Sequence, residues 1–339
     1  MRSESYISVE KQLGDINETL INRNLLNGKI GIFAPGGMGD VMTAMSVLKY
    51  KDILWPDKNI IWFCNPPNAE ALKFNDKVFE LRVFQWESID VDPNTQLKDI
   101  NNRLRKDRKL DFKEVGDLDD AYFPVPWMYS VNGRHGIDYP NISRRCFGID
   151  STWEWHPYLC FSQDERVMVD DFCKKLPYKR TIMIETFAGS GQTGWNDELT
   201  RITLDICRKK WGKCNFIFAS HKYLNNNYEF PKDILDQDGT VSVSHMTVRQ
   251  TALVNDYCDL FVGVSSGISV ATSCWGAKPV PKIQYCNSFI CSTVSLSNGT
   301  IELVCPNGRL NNLWDQFDKN SRLRLVFEYK LRNILNKIE

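Results

Sequence analysis

Asp40 follows a glycine-rich turn, Pro35-Gly36-Gly37-Met38-Gly39, at the mouth of an apolar-faced segment. A carboxylate in that place can serve in two ways. It can cap a helix by accepting its first amide hydrogens, or it can take a proton from a hydroxyl held against it. The turn glycines, including Gly37 and Gly39, let the backbone pass close to another molecule and take positive φ where needed. The residues by themselves leave both roles open.

Two loops in the second half offer a different chemistry. Residues 188–193, with Ser190, Gln192 and Thr193, and residues 265–268, Ser265-Ser266-Gly267-Ile268, combine glycine and polar side chains without charge. Backbone N–H groups and hydroxyls in such turns can hold a diphosphate, and ordinary strand-to-helix turns share the same composition. Neither loop is a Walker loop or a G-x-G-x-x-G fingerprint, so ATP and NAD are not expected. His135 and Asp138 stand in an aromatic-rich stretch with Trp127, Tyr139, Trp153 and Trp155. The plain reading of that stretch is aromatic packing and linker structure. Cys274, Cys286, Cys291 and Cys305 are separated by 11, 4 and 13 residues. That spacing lacks the paired C-x-x-C knuckles of common zinc sites, so buried thiols are expected there rather than a metal.

The elements that must position these groups alternate strand and helix. An apolar run at 30–34 reads as a strand, and Val41, Ala44, Met45, Val47 and Leu48 repeat as one face of a helix. Further strands are expected at 59–64 and 81–84, and a solvated, charge-rich segment at 95–119. After an amphipathic helix beginning near Ser162, the alternation restarts. Strands are expected at 181–186, 215–219, 240–243, 260–264 and 280–285, and helices at 197–211, 247–255 and 267–275. A long amphipathic helix is expected over 312–339. Two such blocks imply an α/β chain with two doubly wound parallel sheets and a boundary near 155–165.

Composition sets the frame. The chain has 339 residues, enough for two domains of about 150 residues each. Lys+Arg and Asp+Glu are 42 each, which argues against a general polyanion binder and makes nucleic acid an unexpected partner. No apolar run approaches a membrane span, and the first residues lack the apolar core of a secretory signal. Eleven cysteines in a chain expected to be cytoplasmic read as free thiols.

Four stretches together are similar to glycosyltransferase family 9, the ADP-heptose:lipopolysaccharide heptosyltransferases. They are GGMGDVMTAMSVLKYKDILWP; His135-Gly136-Ile137-Asp138 followed by Cys146-Phe147-Gly148-Ile149; IMIETFAGSGQTGWNDE with Trp195; and LFVGVSSGISVATSCWGAKPV. The resemblance spans roughly residues 29–285. It implies a GT-B fold, two Rossmann-like domains facing a central cleft. The implied plan is an extension over 1–28, an acceptor-side domain over 29–160, a nucleotide-sugar-binding domain over 161–310, and a helix over 311–339 packing back on the first domain. Asp40 matches the family's general base. Gly37, Gly39, Ser190, Gln192, Thr193, Ser265, Ser266, Gly267 and Ile268 fall on the donor side, and His135, Asp138 and Trp127 on the acceptor side. Three positions depart from the pattern. Ser265 stands where the family has Asp, Val270 where it has His, and Thr193-Gly194 where Lys often occurs.

The resemblance therefore implies a nucleotide-diphosphate sugar as co-substrate without naming its sugar or base, and no obligate metal. The acceptor would be a glycan, lipid-linked or protein hydroxyl, and the enzyme cytoplasmic, with the inner face of a membrane as a place of peripheral association. A nucleotide-sugar epimerase or polysaccharide pyruvyl transferase on the same architecture, and a non-catalytic glycan-binding relative, are the alternatives.

Overall fold

The computed structural model describes residues 28–34, 37–64, 66–83, 118–122, 124, 139–188, 195–219, 232–285, 301–304 and 321–338. The chain divides into two compact units, Met1–Ser162 and Gln163–Glu339. Among the described residues no helix is long and apolar enough to cross a membrane.

The first unit is built on β1 (Lys29–Ala34), β2 (Asn59–Cys64), β3 (Val78–Val83) and β4 (Asp120–Tyr122). These strands pair in parallel in the order β3-β2-β1-β4. All six residues of β2 are buried, as befits a parallel sheet covered on both faces. Helix α1 (Met38–Met45) leaves β1 and buries Val41 through Met45. It then tightens into a 3-10 turn, Ser46–Tyr50, that keeps Val47 and Leu48 inside. Helix α2 (Tyr139–Cys146) closes the unit, with Arg144 donating to the Trp153 carbonyl at 2.6 Å. Trp155 is buried and lies 6.0 Å from Phe147 and 6.3 Å from Tyr50 between ring centres, while Trp153 packs 4.7 Å from Tyr50. Trp155 is thus a core residue, closed to any sugar.

The second unit opens with α3 (Gln163–Cys173) and carries six parallel strands: β5 (Arg180–Glu185), β6 (Cys214–Phe218), β7 (Thr240–Ser242), β8 (Leu260–Val264), β9 (Lys282–Tyr285) and β10 (Ile301–Val304). Their order, β10-β9-β8-β5-β6-β7, is that of the doubly wound dinucleotide-binding fold read from its far edge. The strand at 280–285 begins only at Lys282, since Pro279 and Pro281 cannot donate to the ladder.

Helix α4 (Asp197–Trp211) shows how local sequence sets its bounds. The Asn196 side chain accepts from the Leu199 amide at 2.9 Å, acidic residues occupy the first turn and basic ones the last, and Gly212 ends it at φ 76°. Helix α5 (Val248–Asn255) begins with a Thr247–Gln250 capping box. Buried Arg249 pairs with buried Glu165, tying α5 to α3.

Helix α6 (Gly267–Ala271) is short, and one face of β9 holds it. Lys282 Nζ donates to Thr272 O at 3.0 Å, Thr272 Oγ1 at 2.9 Å and Ser273 Oγ at 2.6 Å. Burial pushes this ammonium down to about 7. Ile283 and Tyr285, on the opposite face, join the apolar core. That core includes Phe327, Leu331, Ile334 and Leu335 of α7 (Ser321–Lys337), together with Ile202 and Ile206 of α4. These α7 residues pack on the second unit's own sheet and α4.

Truncation separates the two sides of α7. Phe327→Ala, at a fully buried ring, should lower stability by about 3–5 kcal/mol. Leu325→Ser, at a side chain 61% exposed, should stay within about 0.5 kcal/mol. Equal losses in chemical denaturation would place the packing face elsewhere.

Candidate functional site

In open parallel sheets ligands bind beyond the carboxyl ends of the strands, where the strand order reverses. The first sheet reverses between β1 and β4, and the second between β5 and β8. The segments leaving β1, β5 and β8 are the three that carry Asp40, residues 188–193 and residues 265–268. Topology thus puts Asp40 beside the reversal point of the first sheet and the turn at 265–268 beside that of the second, while residues 189–193 lie outside the described residues.

Asp40 is the third residue of α1. Gly37 is the N-cap, at φ −75° and ψ 165°, and its N–H donates to Asp40 Oδ2 at 3.0 Å. Thr43 Oγ1 donates to the Gly39 carbonyl at 2.8 Å, bracing the same turn. The residue is half-buried, and its bond to the Gly37 amide lies at the surface. Burial pushes its pKa up to about 7, and the Gly37 amide only partly opposes this. Asp40 therefore caps its helix and also sits at the proton affinity a general base needs near neutrality. Of the two roles that the sequence left as alternatives, the hydrogen bond to Gly37 shows the capping one. Gly37 has no conformational need to be glycine, because its φ is negative and an added Cβ would make only an ordinary 3.6 Å contact with Asp40 Oδ2.

The turn after β8 is built from its own hydrogen bonds. Ser266 Oγ accepts from the Ser269 amide at 3.2 Å, and Ser269 Oγ accepts from the Ser266 amide at 2.9 Å. Ser269 Oγ also accepts from Gln284 Nε2 at 2.9 Å and donates to the Ser266 carbonyl at 2.7 Å. The Ser265 amide extends the ladder to the Tyr285 carbonyl at 3.1 Å. The Ser266 hydroxyl, read from sequence as an anion ligand, is thus engaged in capping, and Gly267 and Ile268 stand at the first two helical positions. Val270, where the family pattern has His, is buried in α6.

Sequence reasoning missed Glu185 at the carboxyl end of β5. Its side chain is buried and accepts from the Phe187 amide at 3.1 Å, so it bends the chain as it leaves the strand. Glu185 registers opposite Gly263 of β8. A Cβ on Gly263 would come within 2.4 Å of the Glu185 carbonyl oxygen, so glycine is what lets the two strands close at the reversal point. A lone carboxylate ending the run Thr181-Ile182-Met183-Ile184 was the available signal.

Ser190, Gln192, Thr193, Trp127, His135 and Asp138 lie outside the described residues, as do Cys286, Cys291 and Cys305. Cys274 is a buried free thiol whose pKa burial pushes up to about 12. Among the described residues no three His, Cys, Asp or Glu side chains come together as metal ligands. Trp195 is a packing residue: its Nε1 donates to Thr200 Oγ1 at 2.8 Å and its ring meets Phe327 edge-on at 5.6 Å.

No protein-family profile matches the sequence, and no curated protein does. Solved structures do match the fold. A family 9 glycosyl transferase from Veillonella parvula has a TM-score of 0.61 at 12% identity, covering 93% of this chain and 99% of its own. The E. coli ADP-heptose lipopolysaccharide heptosyltransferase II has a TM-score of 0.56 at 14% identity, covering 91% and 99%. TibC from enterotoxigenic E. coli, an iron-containing dodecameric glycosyltransferase, has a TM-score of 0.55 at 10% identity, covering 94% and 77%. A second TibC structure, in complex with ADP-D-β-D-heptose, has a TM-score of 0.53.

The Asp40 environment makes a prediction with a definite sign. Its folded-state pKa of about 7 lies above the ordinary 3.8, so between those values the unfolded chain binds fewer protons and stability falls as pH rises. Asp40→Asn keeps an acceptor for the Gly37 amide and removes that fall. The variant's stability relative to the native chain should rise from pH 3.8 to about 7 and then level off. A flat difference across that interval would contradict a desolvated carboxyl.

At these identities the likeness is one of fold, and this chain has the GT-B α/β fold of those glycosyltransferases.

Proposed function

We propose that this chain is an inverting glycosyltransferase with Asp40 as its general base. The observation that carries the reading is the Asp40 carboxyl, fixed by the Gly37 amide at a sheet reversal point and brought to a pKa of about 7 by burial. An acceptor hydroxyl gives its proton to Asp40 as its oxygen bonds the anomeric carbon. The bond from that carbon to the diphosphate oxygen breaks, and the nucleoside diphosphate leaves with the electron pair.

The donor is a nucleotide-diphosphate sugar, heptose or a hexose-like sugar. The fold relatives include an ADP-heptose enzyme and a TibC structure holding ADP-D-β-D-heptose, and the changes at Ser265 and Val270 leave the sugar and base of this chain's donor to be found. Residues 188–193 and 265–268 are proposed to hold the diphosphate, with amides and hydroxyls rather than side-chain charge. Gly37 and Gly39 border the reacting sugar, and Trp127, His135 and Asp138 are placed on the acceptor side. The acceptor is a hydroxyl of a glycan or glycoconjugate, met in the cytoplasm or at the inner face of a membrane.

With a donor identified, Asp40→Asn should lower kcat/KM by about 10²–10⁴-fold while leaving the nucleotide-induced rise in melting temperature in place. The native pH profile should show a rising limb, because the base must be ionised, with its midpoint near 7. Full activity in Asp40→Asn would remove the base assignment.

A further inference from the structure

A concavity lies at the amino-terminal edge of the six-stranded sheet, opposite the edge that carries the turn at 265–268. Its residues precede β5, β6 and β7 or end α4, whereas the turn at 265–268 follows a strand. The cavity measures about 490 Å³ and is walled by Tyr178, Arg208, Lys213, Gln237 and Asp238, a volume suited to a ligand of sugar or nucleotide size. Two glycines with positive φ, Gly212 at 76° and Gly239 at 81°, shape its rim.

The walls are held in place before any ligand arrives. Arg208 donates through Nη1 to Gln237 Oε1 and through Nη2 to the Asp238 carbonyl at 3.1 Å. Its guanidinium lies 5.1 Å from the Phe216 ring centre. These bonds occupy two of the five guanidinium N–H groups. Tyr178 donates its hydroxyl to Asp238 Oδ2. A Cβ on Gly239 would stand 2.9 Å from the Tyr178 ring, so close backbone contact fixes that ring. Lys213 lies over the ring at 5.3 Å and reaches Tyr178 Oη and Asp238 Oδ2 only at 3.5 Å each. Its side chain is 73% exposed, so it can swing away and uncover the ring face.

An ordinary explanation exists for cations here, since Arg and Lys in a last turn complement the helix dipole. Lys209 fits that description and pairs with Asp205 one turn earlier. Arg208 does more, because it turns toward the loop before β7 and is immobilised there. Two cations face one carboxylate, and the Tyr178 hydrogen bond and the Lys213 charge hold Asp238 below the usual carboxylate range, so it stays ionised. The lining offers an aromatic face, a carboxylate, the remaining guanidinium N–H groups of Arg208, and one excess positive charge.

From this geometry we infer that the cavity binds a hydroxyl-rich ring carrying one acidic group, that is, an acidic sugar. Arg208 and Lys213 would take the acid, Asp238 the ring hydroxyls, and the Tyr178 ring a C–H face, while Gln237, which accepts from Arg208 and donates to the Asp233 carbonyl at 2.9 Å, holds Arg208 in place. The site is separate from the proposed transfer chemistry, and its test does not depend on it.

Calorimetric titration of the full chain with D-glucuronate, glucose 6-phosphate, glucose and inorganic phosphate decides the matter. Saturable binding of glucuronate or glucose 6-phosphate is expected, with glucose and phosphate at least ten-fold weaker. Preference between the first two tells a carboxylate ligand from a phosphorylated one. Arg208→Gln, and the surface variant Lys213→Gln, which spares the fold, should each weaken binding at least ten-fold. The inference is overturned if no probe saturates, if phosphate alone binds as tightly as the sugars, or if both variants leave binding unchanged.

Discussion

Parallel pairing of buried strands is the constraint on which the rest of this structure depends. A strand such as Asn59–Cys64, apolar at nearly every position, must be covered on both faces, and parallel neighbours must be joined by crossovers running from one sheet edge to the other. Every segment leaving a strand therefore emerges at the same edge of its sheet. Asp40 after β1 stands at that edge of the first sheet, and the turn at 265–268 after β8 at that edge of the second, each as a consequence of strand direction. The same constraint places the Tyr178–Arg208–Asp238 cavity at the other edge, among segments that enter strands.

Polar groups at the working edge are satisfied largely by their own backbone. Ser266 and Ser269 satisfy each other and are steadied by Gln284. Glu185 bends its own loop, and Gly263 gives it room. Asp40 accepts one amide hydrogen bond while burial raises its pKa. A fully hydrated carboxylate would be too weak a base near neutrality, and one with no hydrogen bond would lack a fixed direction. In the proposed transfer, the capping bond would supply the direction and burial the basicity. Lys282, by contrast, has three acceptors around its buried ammonium and works as a clamp on the end of α6.

Much of this was legible in the residues, for reasons that differ by element. Strands 59–64 and 260–264 and the helix 197–211 stand in the structure where the sequence puts them. Their apolar runs and caps are local signals. β4 was not legible, because Asp120-Ala121-Tyr122 owes its strand state to pairing with β1. β10 was missed in the same way: four residues, Ile301–Val304, gain their register only from β9. The long C-terminal helix was legible as a helix and not in its packing, since an apolar stripe does not say which sheet it meets. Asp40 could be picked out by type and position. Its raised pKa could not, because burial is a property of the folded chain and not of the residue type. Glu185 was hidden for a related reason, as its significance lies in Gly263 on a neighbouring strand.

The central claim is that this GT-B chain transfers a sugar with inversion. Its most direct test is a transfer assay over a panel of nucleotide-diphosphate sugars and hydroxyl acceptors, with the anomeric configuration of the product read by NMR. The account predicts transfer from at least one donor, with the configuration at the anomeric carbon opposite to that of the donor. A product of retained configuration would contradict it, and so would the absence of turnover with every donor together with no nucleotide-induced rise in melting temperature.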